Sequence, residues 1–400
     1  MINWDSLIFN TAAFACALVV LELGADKFVD HTEIVSSRLG VSQSLVALLT
    51  AGAEWEELAV VIASLSQHHS SLALGNVVGS TISNILGAFS LGLLFHNSNG
   101  NGLVFDGSSK IYSAILLVMT TVVTVALVNL RIAGRAFGGF LIGSFVLYIG
   151  SVVWAISRGR MSAPELSDSD DSSDEGESEA DTDEDNEIME NARKGVSRQD
   201  EDGARIENGG SDSIPLRIIT PRSSLSSPSQ RPSRPSRPSR PSRPTRGLTY
   251  HVFQLLLGFL AVCLSGYILS HSASTIAAEL QISGFFFGVV ILSLATTLPE
   301  KFVAMLSGFR GHGGILVANT VGSNMFLLTL CLGIVLIDTG GTFDAGSVSV
   351  MELGIMWAST LALVGTVWFG GKWSRTIGAG MVGLYMMFLV LEVTLNKDEA

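Results

Sequence analysis

Apolar residues dominate two blocks of the chain, in runs long enough to cross a bilayer, and the polar residues inside those runs fall at a few recurrent places. Windows of about 20 apolar residues, the length needed to span a hydrocarbon core of about 30 Å, occur at 6–24, 41–66, 71–95, 111–130 and 135–157. A second set occurs at 248–270, 282–307, 313–337, 348–370 and 375–395. In lipid only helices and closed barrels satisfy their own backbone groups, and these runs are far longer than barrel strands of about 10 residues. The pattern predicts an all-α polytopic membrane protein of about ten transmembrane helices, arranged as two five-helix sets. Because each set has an odd number of spans, the second enters the membrane inverted relative to the first.

Composition separates the membrane blocks from what joins them. The 400 residues are 48% hydrophobic and only 15% charged, with mean hydropathy +0.45, which excludes a string of ordinary soluble domains. Residues 157–247 hold 14 of the 24 Lys+Arg and 19 of the 36 Asp+Glu, so the rest is poorer still in charge. The predicted organisation is a first membrane repeat at 1–157, a disordered linker at 158–247 and a second membrane repeat at 248–400. The linker opens with an acidic, Ser-rich run from Glu165 to Glu190 and closes with Arg-Pro-Ser repeats from Arg231 to Arg246, a composition that cannot bury a core. It reads as a flexible spacer. Its serines among acids also invite a kinase, and its arginines invite anionic lipid.

Basic residues in short loops set orientation. Lys27, Arg38, Lys110, Arg158, Arg160, Arg246, Arg310, Lys372 and Arg375 fall on one side, against Arg131, Arg135 and Lys397 on the other. The linker is therefore expected in the cytoplasm and both termini outside or in a lumen. The first apolar run follows Asp5 and reads as retained, not as a cleaved signal. Cys16, Cys263 and Cys331 lie in apolar runs without CxxC spacing and read as packing residues.

A shift of 243 residues lays the second span on the seventh and the third on the eighth. Glu57 then meets Glu300, Asn76 meets Asn319, Gly79 meets Gly322, Ser80 meets Ser323 and Ser64 meets Ser307. These identities sit at small and polar positions, where hydrophobicity alone would not put them. Inverted repeats of this kind are a plan of secondary transporters, whose substrate site lies where the two copies meet. A carboxylate at a helix centre costs about 2.5–3.5 kcal/mol on insertion scales, yet Glu54, Glu56, Glu57 and Glu300 all lie in apolar runs.

The chemistry on offer is oxygen only: carboxylates, hydroxyls (Thr50, Ser80, Ser293, Thr296, Thr297, Ser323) and amides (Asn76, Asn84, Asn319, Asn324). Hard cations such as Ca²⁺ take six to eight such oxygens, and the absence of thiolate and imidazole argues against zinc or copper. Pro299 and glycines at 52, 75, 79 and 322 are expected to interrupt helical bonding and free carbonyls nearby.

Gly75-Asn76-Val77-Val78-Gly79-Ser80-Thr81-Ile82-Ser83-Asn84, Ala295-Thr296-Thr297-Leu298-Pro299-Glu300 and Val321-Gly322-Ser323-Asn324 resemble the two alpha-repeats of the sodium/calcium exchanger membrane-region family, within the calcium/cation antiporters. The resemblance implies a non-enzymatic antiporter that exchanges Ca²⁺ for Na⁺ or H⁺ by alternating access, without a cofactor or nucleic acid. It implies a metal site of Glu57, Glu300, Asn84, Ser80, Ser323, Thr296 and Thr297. The family's pattern in the first repeat, roughly Gly-Thr-Ser-x-Pro-Glu, is replaced by Gly52-Ala53-Glu54-Trp55-Glu56-Glu57, and the position matching Asn84 in the second repeat is Leu327, which has no ligand atom. Glu54, three residues from Glu57 and on the same helix face, is expected to compensate for Leu327 and to favour proton coupling. A degenerate site in a non-transporting Ca²⁺ sensor, or a cation channel, stays open beside the antiporter.

Outside the repeat, Glu22, Glu352 and Glu392 read as helix-end or interhelical residues. Lys301 is expected to snorkel or to meet an acid, and Trp55 to gate the ion path or face lipid. His68, His69, His271 and His312 are expected at span ends, not gathered in one site.

Overall fold

The computed structural model describes residues 3–38, 54–96, 102–129, 134–157, 247–342 and 349–398. By contact the chain divides into Met1–Ser167 with Thr245–Ala400, and Asp168–Pro244. The second unit, most of the expected linker, lies outside the described residues, as do 41–53 of the expected second span.

The protein is an all-α polytopic membrane protein. Its helices are α1 (Trp4–Arg38), α2 (Trp55–Ser66), α3 (Ser70–Leu94), α4 (Gly107–Asn129), α5 (Gly134–Ser157), α6 (Leu248–Glu279), α7 (Gly284–Thr296), α8 (Leu298–Phe309), α9 (Gly313–Thr339), α10 (Val350–Phe369) and α11 (Ser374–Asp398). Among the described residues, eight helices are long and apolar enough to cross a membrane, and the pair α7 and α8, bent by 49°, makes up to nine. The seventh span is therefore broken, not continuous. The break falls at Thr297 (φ −90°, ψ 16°), because Pro299 in the next turn has no N–H to continue the ladder of α7.

The element bounds repeat with the shift found in the sequence. Trp55–Ser66 and Leu298–Phe309 have equal length and lie 243 positions apart, and so do the regular turns Ser70–Ile82 and Gly313–Met325 that follow them. The turn between them repeats as well: His68 (φ 61°) in the first half stands where Gly311 (φ 76°) stands in the second. Shifted partners also pack on each other, α1 along α6 and α4 along α10.

Burial sorts the helices. The most apolar stretches of α3 and α9 are 89% and 78% buried inside the protein, whereas those of α4 and α5 are 22% and 17% buried. Outward faces carry Phe140, Leu147, Phe253, Leu260 and Val390, as lipid-facing surfaces do. The inner helices are joined by small residues. A Cβ on Gly75 would overlap the Phe285 backbone, one on Gly79 the Val289 backbone, and one on Gly288 the Leu72 and Asn76 backbones. α3 and α7 thus cross with main chain against main chain, at a Gly-x-x-x-Gly spacing suited to close helix pairs in lipid.

Candidate functional site

Glu57 and Glu300 both stand in the first turn of a helix that starts inside the protein. Free backbone N–H groups and the positive end of the helix dipole favour a carboxylate there. Before each helix is one residue off the helical conformation: Glu54 (φ −80°, ψ 80°) before α2 and Thr297 before α8. These two occupy equivalent places in the repeat, so the first half carries an acid where the second carries a hydroxyl.

Glu57 is fully enclosed, and its carboxylate collects donors from both halves. Ser80 Oγ donates to Oε1 at 2.8 Å, Asn76 Nδ2 donates to Oε2, and Thr296 Oγ1 of the second half donates to Oε1 at 2.6 Å. The close crossing at Gly75 and Gly79 is what lets α3 and the end of α7 reach one carboxylate. Glu54 is also buried; its Oε1 accepts from Asn84 Nδ2 at 3.0 Å, and Ser323 lies within hydrogen-bonding reach of it. Glu300 is half-buried and lies in electrostatic range of Glu54, Glu56 and Glu57.

Four acceptor oxygens in this region have no hydrogen-bond donor although they are buried: Glu54 Oε2, Asn76 Oδ1, Asn84 Oδ1 and Glu300 Oε2. An unmet buried acceptor costs about 1–3 kcal/mol, so a group of them points to something electropositive that meets them. Among the described residues no three His, Cys, Asp or Glu side chains form the cluster of a resident metal centre. The oxygens gathered here are of carboxylate, amide and hydroxyl type, the ligand chemistry of hard cations.

The sequence-derived set divides into two groups. Glu57, Ser80 and Thr296 meet directly, Glu54 and Asn84 meet each other with Ser323 close by, and Glu300 approaches through its charge. Thr297 stands apart. Its Oγ1 lies 2.8 Å from Ser83 Oγ and 2.5 Å from Lys301 Nζ, which donates to it. Among the described residues Lys301 hydrogen-bonds to no acid, although its charge lies in electrostatic range of Glu300, Glu57 and Glu54: Nζ also donates to Ser83 Oγ at 2.9 Å and to the Thr297 carbonyl at 3.1 Å. The polar environment prevails because the lysine starts one turn after Thr297 on α8 and reaches back along the helix. Ser83 is further held by Tyr385 OH of α11 at 2.9 Å.

Ser83 and Tyr385 are the polar partners that the sequence pattern did not single out, and Asn76, offered among the amides, is not in the metal site that the resemblance implies. Asn76 carried a signal, its alignment with Asn319. Ser83 aligns with Phe326 and Tyr385 has no counterpart of its kind, so the repeat could not mark them. Other expectations also change. Trp55 is half-buried and packs edge-on to Phe28 and Phe326, with ring centroids 5.5 and 6.3 Å away. Glu352 closes a capping box with Ser349 at the start of α10, a helix-end role as expected. His69 Nε2 lies 2.9 Å from Ser274 Oγ on α6, and His271 and His68 are within electrostatic range of it. Burial, with His271 and His68 adding to it, holds the His69 imidazole below its usual pKa.

The family model for the sodium/calcium exchanger protein matches residues 9–156 and 250–394. The chain is 32% identical over 110 residues to the putative antiporter CaxA of Alkalimonas amylolytica, covering 28% of this chain and 34% of that protein. It is 28% identical over 149 residues to the sodium/calcium exchanger MaX1 of Methanosarcina acetivorans, covering 36% and 41%. The matched stretches thus span less than half the length of these relatives. Two solved structures share the fold. Native YfkE has a TM-score of 0.60 at 13% identity, covering 97% of this chain and 93% of that one. The sodium-calcium exchanger NCX_Mj, soaked with Na⁺ and Sr²⁺, has a TM-score of 0.51 at 16% identity, covering 96% and 99%.

Proposed function

The chain belongs to the sodium/calcium exchanger family, and from that premise we propose that it is a secondary transporter exchanging Ca²⁺ for a monovalent cation by alternating access. The observation that carries this reading is the group of unmet buried oxygens around Glu57, Glu54 and Glu300, contributed by both halves. Ca²⁺ would be held by Glu57 and Glu300, with Ser80, Thr296, Asn84, Ser323 and Glu54 supplying further oxygens. A ligand set split between halves ties ion occupancy to the way the halves pack. Rearranging the halves then changes both affinity and the side from which the ion is reached, the linkage exchange requires.

Glu54 shapes the choice of counter-ion. Leu327, buried and without a ligand atom, removes one oxygen from the second half, while Glu54 brings a carboxylate to Asn84 in the first. A site that lacks an oxygen loses a weakly held Na⁺ first, and an added carboxylate can carry a proton instead, so proton coupling is the reading favoured over a strict multi-sodium cycle.

Proteoliposomes with imposed Na⁺, K⁺ and pH gradients test both levels. Gradient-driven Ca²⁺ accumulation is expected in the wild type and absent in Glu57→Gln and Glu300→Gln. Ca²⁺ binding by the purified protein without flux under any gradient would replace this reading with the sensor, and flux needing no counter-ion would replace it with the channel. Equal sodium-driven flux in wild type and Glu54→Gln would overturn the role given to Glu54.

A further inference from the structure

Beside the carboxylates stands a second polar cluster that already holds a positive charge. Lys301 Nζ has three hydrogens and meets three oxygens, Ser83 Oγ, Thr297 Oγ1 and the Thr297 carbonyl, so its donor capacity is filled without any carboxylate. The hydrogens of the cluster are consistent with this: Thr297 Oγ1 donates onward to the Ser293 carbonyl at 2.5 Å, and Ser83 Oγ shares its hydrogen with Tyr385 OH at 2.9 Å or Thr297 Oγ1 at 2.8 Å. The cage is built from both halves, Ser83 on α3 of the first, Thr297 on the break before α8 and Tyr385 on α11 of the second. Gly87 makes room for it, since a Cβ there would stand 3.0 Å from Lys301 Cε.

Two hydroxyls and one carbonyl form a neutral oxygen cage, the kind of ligand set that replaces the hydration shell of a monovalent cation and offers no negative charge to balance a second one. An ammonium is such a cation, and this one is attached to the chain. We infer that Lys301 is a tethered monovalent cation that permanently occupies this cage, so that one fewer mobile monovalent ion takes part in each exchange. The inference deepens the exchanger reading and rests on it for its consequence in transport. The occupancy of the cage can be tested without transport.

The purified full-length protein is titrated with NaCl against choline chloride at constant ionic strength while its melting temperature is followed. Lys301→Met vacates the cage and is expected to show a saturable Na⁺-dependent rise in melting temperature larger than the wild type's, and Ser83→Ala added to it should remove the gain. Lys301→Gln provides the same comparison if the Met variant does not fold. A Na⁺ response identical in wild type and variant, or a gain that survives Ser83→Ala, overturns the inference. In proteoliposomes the Hill coefficient of whichever monovalent ion, H⁺ or Na⁺, drives Ca²⁺ exchange should rise by about one in Lys301→Met, and an unchanged coefficient with exchange intact also overturns it. Absence of any gradient-driven Ca²⁺ flux in the wild type would sink the exchanger reading alone, because the Na⁺ titration still decides whether the cage is a cation site.

Discussion

Replacing Gly79 with alanine tests whether the main-chain crossing of α3 and α7 builds the site. An added Cβ would stand 2.6 Å from Val289 Cα and 2.7 Å from Ser293 Oγ, where ordinary contact begins at 3.4 Å. Ser293 Oγ can rotate away but Val289 Cα cannot, so α3 and α7 must part by about 0.8 Å, an overpacking that typically costs about 1–3 kcal/mol. Ser80 and Asn76 of α3 hold the Glu57 carboxylate and Thr296 ends α7, so a carboxylate that stays with α3 takes up the same movement in the 2.6 Å bond from Thr296, which lengthens toward 3.4 Å, beyond the usual range for a hydroxyl donor. Losing a hydrogen bond to a charged group is worth about 1.5–3 kcal/mol, or roughly 10- to 100-fold in an equilibrium constant. The prediction is a Gly79→Ala protein that folds with a lowered melting temperature and whose half-saturating Ca²⁺ concentration, read from initial uptake rates in proteoliposomes, rises at least about tenfold. Gly383→Ala is the control, because an added Cβ there meets nothing within 4 Å. Uptake and melting within error of wild type for Gly79→Ala would refute the reasoning, since the crossing would then have slack that the backbone distances deny.

Thr296→Val keeps the shape and removes the one hydroxyl that bridges the halves at Glu57; it should weaken Ca²⁺ by about tenfold in equilibrium binding while Thr296→Ser stays near wild type, and equal weakening by both would show that the methyl group matters instead. Asp106 caps α4 by accepting from Ser109 N at 3.0 Å and from Ser109 Oγ, so Asp106→Ala should cost about 1 kcal/mol, read as a lower melting temperature. Burial raises the Asp106 pKa, but the hydrogen bonds from Ser109 and the neighbouring backbone outweigh it and leave it below 3.8; this contribution is therefore present above that pH and is lost as the pH falls through the folded value. The depressed His69 pKa has the parallel sign for a base: the folded protein binds fewer protons than the unfolded chain, so stability falls as the pH drops below about 6.5. His69→Gln should flatten that part of the melting profile between pH 7 and pH 5, and an unaltered profile would remove His69 as its cause.

The membrane class, the place of the broken helix and the equivalence of the halves are legible in the sequence because each rests on patterns that follow the chain. Apolar run length marks spans, Pro299 marks the break, and the alignment of Glu57 with Glu300 and of Ser80 with Ser323 marks the repeat down to element bounds. The division of the polar residues is not legible in the same way. Thr296 and Thr297 are neighbours in sequence, yet helix geometry turns them roughly 100° apart, one to Glu57 and the other to Lys301. Nor does any local pattern show that a lysine beside Glu300 bends back to hydroxyls, because Ser83 and Tyr385 come from helices far along the chain. Trp55 reads as exposed or gating from its sequence neighbours, while its surroundings are set by Phe28 and Phe326.

The π-helical turns at Ser83–Phe89 in α3 and Phe326–Cys331 in α9 occupy matching places but present different chemistry. In the first half Ser83 and Asn84 bond to the two polar clusters; in the second Phe326 and Leu327 fill the equivalent places with hydrocarbon. For an exchanger built from two interchangeable inverted halves, the outward-open and inward-open forms would be degenerate, each the mirror task of the other. In the exchange cycle proposed above, that difference would lift the degeneracy at the ion site: one opening would pass the ion from ligand to ligand and the other past an apolar wall, so four side chains would give the protein a preferred resting form.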